Sequence, residues 1–76
     1  MTEMEWLAQF GENLKSMLRE ANMTQKELAE DAELPESCIS NYVQGKSIPT
    51  VKSIINICYS LACDTDELID FGERIE

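Results

Sequence analysis

Closely spaced helix start and stop signals constrain this chain more than any other feature of its sequence. Thr24 and Glu27 have the spacing of a capping box, in which each side chain bonds the backbone N–H of the other residue. Pro35 has no N–H to lose and suits the start of a helix, whereas Gly45 ends one. Thr50 can cap another helix. These signals predict two short helices joined by about four residues, with a further helix after them.

Apolar residues recur at helical spacing within each of these segments, and none shows the alternation of a strand. A long helix is predicted from Glu3 to Ala21, and a fifth helix follows a second capping box formed by Asp64 and Glu67. The sequence therefore predicts a compact all-α fold of five helices, with residues 1–76 as a single domain. The predicted apolar stripes contain Leu7, Phe10, Leu14, Met17, Leu18, Ala21, Leu28, Ala29, Ala32, Ile39, Tyr42, Val43, Val51, Ile54, Cys58 and Leu61.

Size and composition exclude several classes of protein. The 76 residues are 43% hydrophobic, which is enough for one domain with a small core. The three cysteines, Cys38, Cys58 and Cys63, lack CxxC spacing, and the chain has no histidine, so a zinc site would need an unusual ligand set. The sequence contains no Gly-rich phosphate loop and no activated-nucleophile pattern that could act together with the carboxylates in catalysis. We expect reduced thiols, no metal, no cofactor and no enzymatic activity.

Two features of the sequence indicate where in the cell the protein is expected. The N-terminal stretch MTEMEWLAQF lacks the basic and apolar regions of a signal peptide. The longest apolar runs are only a few residues, which is too short for a membrane span. We therefore expect a cytoplasmic protein that makes no contact with a membrane.

The net charge of −9 is unusual for a protein that binds nucleic acid, because such proteins are generally basic. The charge is unevenly distributed. Residues 64–76 contain six acids and one base, whereas residues 47–63 contain no acid, and Lys46 and Lys52 lie at or within that segment. The acidity is thus concentrated away from the stretch PESCISNYVQGKSIP, residues 35–49. The C-terminal acids are either a solvated face or a docking surface.

The third helix, predicted over about residues 35–44, has one apolar stripe and one polar face. Its polar face carries short side chains that can donate or accept hydrogen bonds, where a purely solvated face more often carries Lys and Glu. The face is either a surface that reads a ligand or an ordinary polar surface. Its residues are Glu36, Ser37, Ser40, Asn41 and Gln44.

The combined pattern resembles the phage-repressor and Cro-like (XRE) family of helix-turn-helix proteins. It is carried by TQKELAEDAELPESCISNYVQGKSIPT and LACDTDELI, within a resemblance that covers about residues 12–71. Residues 1–11 form an N-terminal helical extension and residues 72–76 an acidic tail. The resemblance implies a lambda-repressor-like DNA-binding domain with the helix-turn-helix at helices 2 and 3. The positions at the family's spacing are Gln25, Leu28, Ala29, Ile39, Ser40, Gly45, Pro49, Leu61 and Leu68.

The sequence departs from the family pattern in three ways. Glu33 stands where the family usually has Gly, so the turn is either strained or differently built. Pro35 stands where the family often has Ser. Leu18 and Val43 replace an arginine and a glutamate that commonly pair, so we expect a hydrophobic contact in place of the ion pair.

The resemblance also implies roles for particular residues. Helix 3 would enter the major groove of double-stranded DNA, with Glu36, Ser37, Ser40 and Asn41 at the base edges. The phosphate backbone would be held by Gln25, Gln44, Lys46, Ser47 and Lys52. Weaker candidates are Lys15, Arg19 and Lys26. In the alternative, Gln25 is an exposed helix former, Lys46 a solvated loop residue and Arg19 a partner for helix-one carboxylates.

Both termini carry candidates for a homodimer contact. Trp6 lies off the apolar stripe of the first helix, so it either contacts a second copy or folds back over the core. Ile69, Phe71 and Ile75 are further candidates, because relatives often dimerise through the last helix. No residue suggests a small-molecule ligand.

Two classes of function remain open. One is a sequence-specific DNA-binding transcriptional regulator that represses a promoter as a dimer. The other is a protein-binding module with the same fold: an antirepressor, an antitoxin or an acidic DNA mimic. Positive potential around Gln25, Gln44, Lys46 and Lys52 would distinguish them.

Overall fold

Five α-helices make up most of the computed structural model, which describes residues 2–69. The expected all-α architecture is confirmed. Phe71, Ile75 and the predicted acidic tail lie outside the described residues. The helices are α1 (Glu3–Ala21), α2 (Gln25–Ala32), α3 (Glu36–Val43), α4 (Val51–Leu61) and α5 (Thr65–Leu68).

The helix boundaries follow from local capping. The Glu27 N–H donates to Thr24 Oγ1 at 3.0 Å, and the Thr24 N–H donates to Glu27 Oε1 at 2.8 Å, so the capping box of α2 is confirmed. The capping box of α5 is present as well. The box at the start of α1, formed by Thr2 and Glu5, was not predicted. Except for α3, whose N-cap is Pro35, each helix therefore starts where a side chain satisfies N–H groups that the helix itself leaves unbonded.

One hydrophobic core joins all five helices. α2 packs on α3 and α4, and α1 packs on α3, α4 and α5. The Asn13 side chain also donates to the Leu68 carbonyl at 2.9 Å, which ties α1 to the end of α5. The buried core consists of Phe10, Leu14, Leu18, Leu28, Ala29, Ala32, Ile39, Tyr42, Val43, Ile57, Cys58 and Leu68.

Two of the predicted core positions are wrong. Ala21 is exposed in the last turn of α1, and Val51 is 73% exposed at the start of α4. In α4 the fully buried residue is Ile57, because the helix is rotated so that Ser53 and Ile57 face inward. The other predicted α4 residues lie at or beside this buried face: Cys58 is buried, and Ile54 and Leu61 are half-buried.

Leu18 and Val43 are both buried in the core, with 6% and 7% of their surfaces exposed. An arginine and a glutamate at these positions would have to be desolvated and paired, at a cost that apolar side chains avoid. Their burial agrees with the expected exchange of an ion pair for apolar packing.

Gly11 brings α1 into direct backbone contact with the C-terminal end of α3. A Cβ atom at position 11 would lie 2.6 Å from the Val43 carbonyl oxygen and 3.0 Å from that of Tyr42. Both obstacles are backbone atoms, which cannot rotate away as a side chain can. The absence of a side chain at Gly11 therefore sets how closely α1 and α3 pack.

We expect Gly11→Ala to lower the free energy of unfolding by about 1–3 kcal/mol, because α1 and α3 must move apart. The higher helix propensity of Ala offsets only about 0.5–1 kcal/mol of this loss. Urea unfolding followed by far-ultraviolet circular dichroism measures the change. Ser16→Ala, at an exposed position of α1, is the control and should be close to neutral. A Gly11→Ala variant as stable as the parent would contradict the close contact.

Glu33 adopts the backbone conformation that glycine would take at this position. It ends α2 in the left-handed region, with φ 58° and ψ 43°. A side chain in this region costs roughly 1–2 kcal/mol. The turn of the helix-turn-helix thus keeps a left-handed geometry, and Glu33 carries strain within it.

Glu33→Gly should raise the free energy of unfolding by about 1 kcal/mol, since relief of the strain exceeds the added entropy of glycine in the unfolded chain. Glu30→Gly removes the same charge from within the same helix and should instead destabilise by about 1 kcal/mol. Thermal melts of both variants provide the comparison. If Glu33→Gly is as destabilising as Glu30→Gly, the turn is not strained at position 33.

Candidate nucleic-acid interface

The connection between α2 and α3 sets the two helices across each other. The Leu34 N–H donates to the Ala29 carbonyl at 2.9 Å, which closes the end of α2. Pro35 then takes an extended conformation, with φ −61° and ψ 143°, as the N-cap of α3. Because Leu34 is half-buried against the core, the chain enters α3 at a defined angle.

The polar face of α3 points away from the core, as the sequence predicts. Glu36 and Ser37 are exposed in the first turn, and Ser40 and Asn41 are half-buried in the second. The Gln44 side-chain amide donates to Ser40 Oγ at 2.8 Å. Ser40, which is predicted to contact bases, and Gln44, which is predicted to contact phosphate, are thus hydrogen-bonded to each other.

The loop after α3 exposes the first of two lysines. Gly45 has φ 72°, and the Lys46 N–H turns back to donate to the Asn41 carbonyl at 2.8 Å. A Cβ at Gly45 would lie 3.4 Å from the Leu7 carbonyl oxygen, so α1 supports the loop from behind. Lys46 is exposed at the end of α3, and Ser47 next to it is half-buried.

Lys52 is exposed in the first turn of α4, and Gln25 is half-buried as the first residue of α2. Within residues 2–69, neither Lys46 nor Lys52 forms a salt bridge. Among the weaker candidates, Lys15 forms a salt bridge with Glu12 at 3.3 Å. Arg19 and Lys26 are exposed.

Buried hydrogen bonds hold α3 in place. The Tyr42 ring packs edge-on against Phe10, with centroids 6.0 Å apart and planes at 78°. The Tyr42 O–H donates to Ser53 Oγ at 3.0 Å, and the Thr50 O–H reaches the same oxygen at 3.0 Å. Ser53 is only 5% exposed, so its hydroxyl needs these partners. α3 is therefore fixed to the N-terminal turn of α4.

A second polar bond fixes α2 to the same helix. The Asn56 side-chain amide donates to the Ala32 carbonyl at 3.2 Å, at the C-terminal end of α2. Neither of these two hydrogen bonds is predicted from the sequence, because Tyr42 and Asn56 bond partners 11 and 24 residues away. No local sequence pattern marks such pairs. α4 thus serves as the support on which both helices of the helix-turn-helix are mounted.

Both carboxylates and lysines surround the polar face of α3. Glu27, Glu30 and Asp31 are exposed on α2, Glu33 is exposed in the turn and Glu36 opens α3. The two lysines lie at the opposite end of α3. The site therefore changes sign along its length, from acidic at the turn to basic at the loop after α3.

Cys58 and Cys63 are not placed as nucleophiles. Burial raises the pKa of the Cys58 thiol and raises that of Cys63 to about 12. The Cys63 thiol donates to Met17 Sδ at 3.8 Å, and all three cysteines are free thiols. A thiol with a raised pKa is protonated at neutral pH and reacts slowly. Among the described residues, no cluster of His, Cys, Asp and Glu is arranged to hold a metal ion.

Trp6 folds back over the core, which is one of the two alternatives that its sequence position leaves open. It is half-buried and stacks on Phe10, with centroids 5.4 Å apart and planes 11° from parallel. Ile69 is 38% exposed after α5. A role for either residue in a dimer stays a prediction.

An exposed apolar surface on α4 is not predicted from the sequence. We define the α4 stripe as Val51, Ile55 and Tyr59, which lie at i, i+4 and i+8 and are 73%, 55% and 82% exposed. Ile48, just before the helix, is 56% exposed. A signal was present, because seven of the eleven residues in VKSIINICYSL are apolar, and at helical spacing they form an arc wider than a single core-facing stripe.

A search for membrane-spanning helices among residues 2–69 finds no segment with the necessary length and apolar character.

Comparison with known families agrees with this geometry. The model of the Cro/C1-type HTH DNA-binding domain matches residues 13–73, which is most of the chain. This chain belongs to the Cro/C1-type helix-turn-helix family. The resemblance stated from the sequence is thereby confirmed, and the family is a DNA-binding rather than an enzymatic one. The first three turns of α1 precede the match.

Among solved structures, the chain is similar to the restriction-modification controller protein C.AhdI from Aeromonas hydrophila, known from a high-resolution crystal structure. The TM-score is 0.79 at 22% sequence identity, and the match covers 82% of this chain and 94% of C.AhdI. At this identity the likeness shows a shared five-helix fold. No curated protein sequence matches this chain significantly.

Proposed function

We propose that this protein is a sequence-specific, cytoplasmic transcription regulator that binds double-stranded DNA as a dimer and represses by covering a promoter. The observation that carries the proposal is the exposed polar face of α3, mounted rigidly on α4, with Lys46 and Lys52 at its basic end. C.AhdI, which shares the fold, is named as a controller protein. Membership of a DNA-binding family supports the same class of function.

The base-reading role is assigned to the polar face of α3. A helix of eight residues is roughly 12 Å long, so its first turn can enter the major groove while its last turn reaches the backbone. Glu36 can accept from the N4 amino group of cytosine, and Asn41 can pair with adenine. Ser37 and Ser40 can bond several bases and are less selective. Glu36 and Asn41 would therefore carry most of the sequence preference.

Phosphate contacts are assigned to Gln25, Gln44, Lys46, Ser47 and Lys52, which flank that face. The bond from Gln44 to Ser40 leaves the Gln44 amide one further N–H for a phosphate oxygen. Charges beyond about 8 Å are largely screened at physiological salt, so distant acids oppose binding only weakly. Since few cations are available, affinity should depend on base contacts more than is usual.

The acidic surface of α2 favours a second candidate function. Glu27, Glu30 and Asp31 are exposed on α2, and the whole chain carries a charge of −9. Such a surface suits a basic protein partner, as in an antirepressor, an antitoxin or a DNA mimic. In that case DNA would not bind, and the acidic face of α2 would be the functional one.

Selection of duplexes from a random pool at low salt should enrich one sequence if α3 reads bases. Lys46→Ala should lower the affinity for the enriched duplex and for unrelated duplexes by the same factor. It should also reduce the slope of log affinity against log salt concentration by about one unit. Glu36→Ala should instead relax the preference at one base position, at a cost of roughly 1–3 kcal/mol for the preferred base. For the parent protein this slope should be shallow, because only about two to four phosphates are neutralised per domain.

Glu20→Ala, at an exposed position near the end of α1, removes a carboxylate away from the candidate interface and is the matched control for Glu36→Ala. Its base preference should equal that of the parent. If the pool yields no enriched sequence and neither Lys46→Ala nor Glu36→Ala alters binding, α3 does not read DNA. The protein-binding function would then be the better account.

A further inference from the structure

The α4 stripe requires a partner on physical grounds. The polar residues of α4 share one arc of the helix, and the apolar residues on the remaining arc occupy more of its circumference than the core covers. In this fold the core covers the face of α4 that contains Ser53, Ile57 and Cys58, and the α4 stripe remains exposed beside that face. Exposed apolar surface arranged in a continuous row commonly marks a protein interface.

The charges around α4 identify that partner as a second copy of this chain. α4 begins between Lys46 and Lys52 and ends beside the acidic segment that contains Asp64, Asp66 and Glu67. In an antiparallel pair of α4 helices, the basic end of each helix lies against the acidic end of the other. The stripe between these ends carries no charge, so two strongly acidic molecules can meet there without direct repulsion.

We propose that two copies of this protein associate through their α4 stripes in an antiparallel, two-fold symmetric contact. This inference rests on the proposed function, because it supplies the dimer that a two-fold DNA site needs. Val51 of each copy packs near Tyr59 of the other, and Ile55, the middle residue of the row, lies nearest the axis and meets its own counterpart. Ile48 extends the apolar surface at its edge.

This contact would also set the distance between the two recognition helices. Tyr42 and Asn56 fasten α3 and α2 to α4 through bonds of 3.0 and 3.2 Å. Since α4 is both the dimer contact and the support of the helix-turn-helix, joining two α4 helices fixes the two copies of α3 relative to each other. Half-sites about one helical turn apart are expected.

The first test is Tyr59→Lys, measured by sedimentation equilibrium without DNA. The substitution places a cation opposite the basic end of the partner helix and should weaken association at least about tenfold, as the loss of an aromatic interface residue can do. Met4→Lys is the matched control, because Met4 is 81% exposed against 82% for Tyr59. Both variants should melt at the parent temperature at low protein concentration, since neither side chain lies in the core.

The second test is disulfide cross-linking of Ile55→Cys under mild oxidation with diamide. Two cysteines beside a two-fold axis meet the short Cα separation that a disulfide needs, so a covalent dimer should form rapidly. Met4→Cys is the control and should remain monomeric on denaturing gels. Equal cross-linking of the two variants, or none with Ile55→Cys, would overturn the antiparallel contact.

The outcomes separate this inference from the proposed function. If the parent and Tyr59→Lys associate equally, or if the parent stays monomeric on a duplex with two half-sites, the α4 contact is wrong. If Tyr59→Lys abolishes association but no sequence is enriched from random duplexes, the contact stands and the DNA-reading function fails. If single half-sites are enriched and bound by monomers, base reading by α3 stands and the α4 contact fails.

Discussion

The packing of the α1 backbone against the end of α3 is the contact on which the rest of the structure depends. Gly11 lies so close to the Val43 and Tyr42 carbonyls that any side chain would push the helices apart. This approach seats Tyr42 against Phe10 and lets its hydroxyl reach Ser53 on α4. α3 is thus held from one side by α1 and from another by α4. The base readout proposed for α3 would need such rigidity, because it depends on placing short side chains accurately.

The net charge of −9 and membership of a DNA-binding family are reconciled by where the charges lie. The loop after α3 and the whole of α4 carry lysines and no acid, whereas exposed acids lie on α2, in the turn after it and at the start of α3. At physiological salt the contacts within about 8 Å of the DNA decide the interaction. The same acid-free segment also carries the α4 stripe. A single stretch of sequence would therefore serve both DNA binding and self-association.

The sequence predicted the helices and most of the core because caps and apolar spacing act locally. Thr24 and Glu27 form the expected capping box, and the Ile39, Tyr42 and Val43 stripe is buried. The prediction was wrong for Val51, because the rotation of α4 depends on a partner that is distant in the sequence. Ser53 faces inward, where it bonds Tyr42, and Val51 is exposed. The polar face of α3 was correctly predicted to be outside the core, but the Gln44–Ser40 bond across it was not. Glu33 shows that an unfavourable residue can occupy a left-handed position that the turn requires.

The most direct test of the account is a nuclear magnetic resonance titration of ¹⁵N-labelled protein with the selected duplex and with a scrambled duplex of equal composition. The account predicts that the selected duplex shifts the amide signals of residues 36–47 and Gln25 most strongly. The scrambled duplex should give smaller shifts, largest near Lys46 and Lys52. Strong shifts centred on Glu27, Glu30 and Asp31, or identical responses to the two duplexes, would contradict the claim that α3 reads DNA.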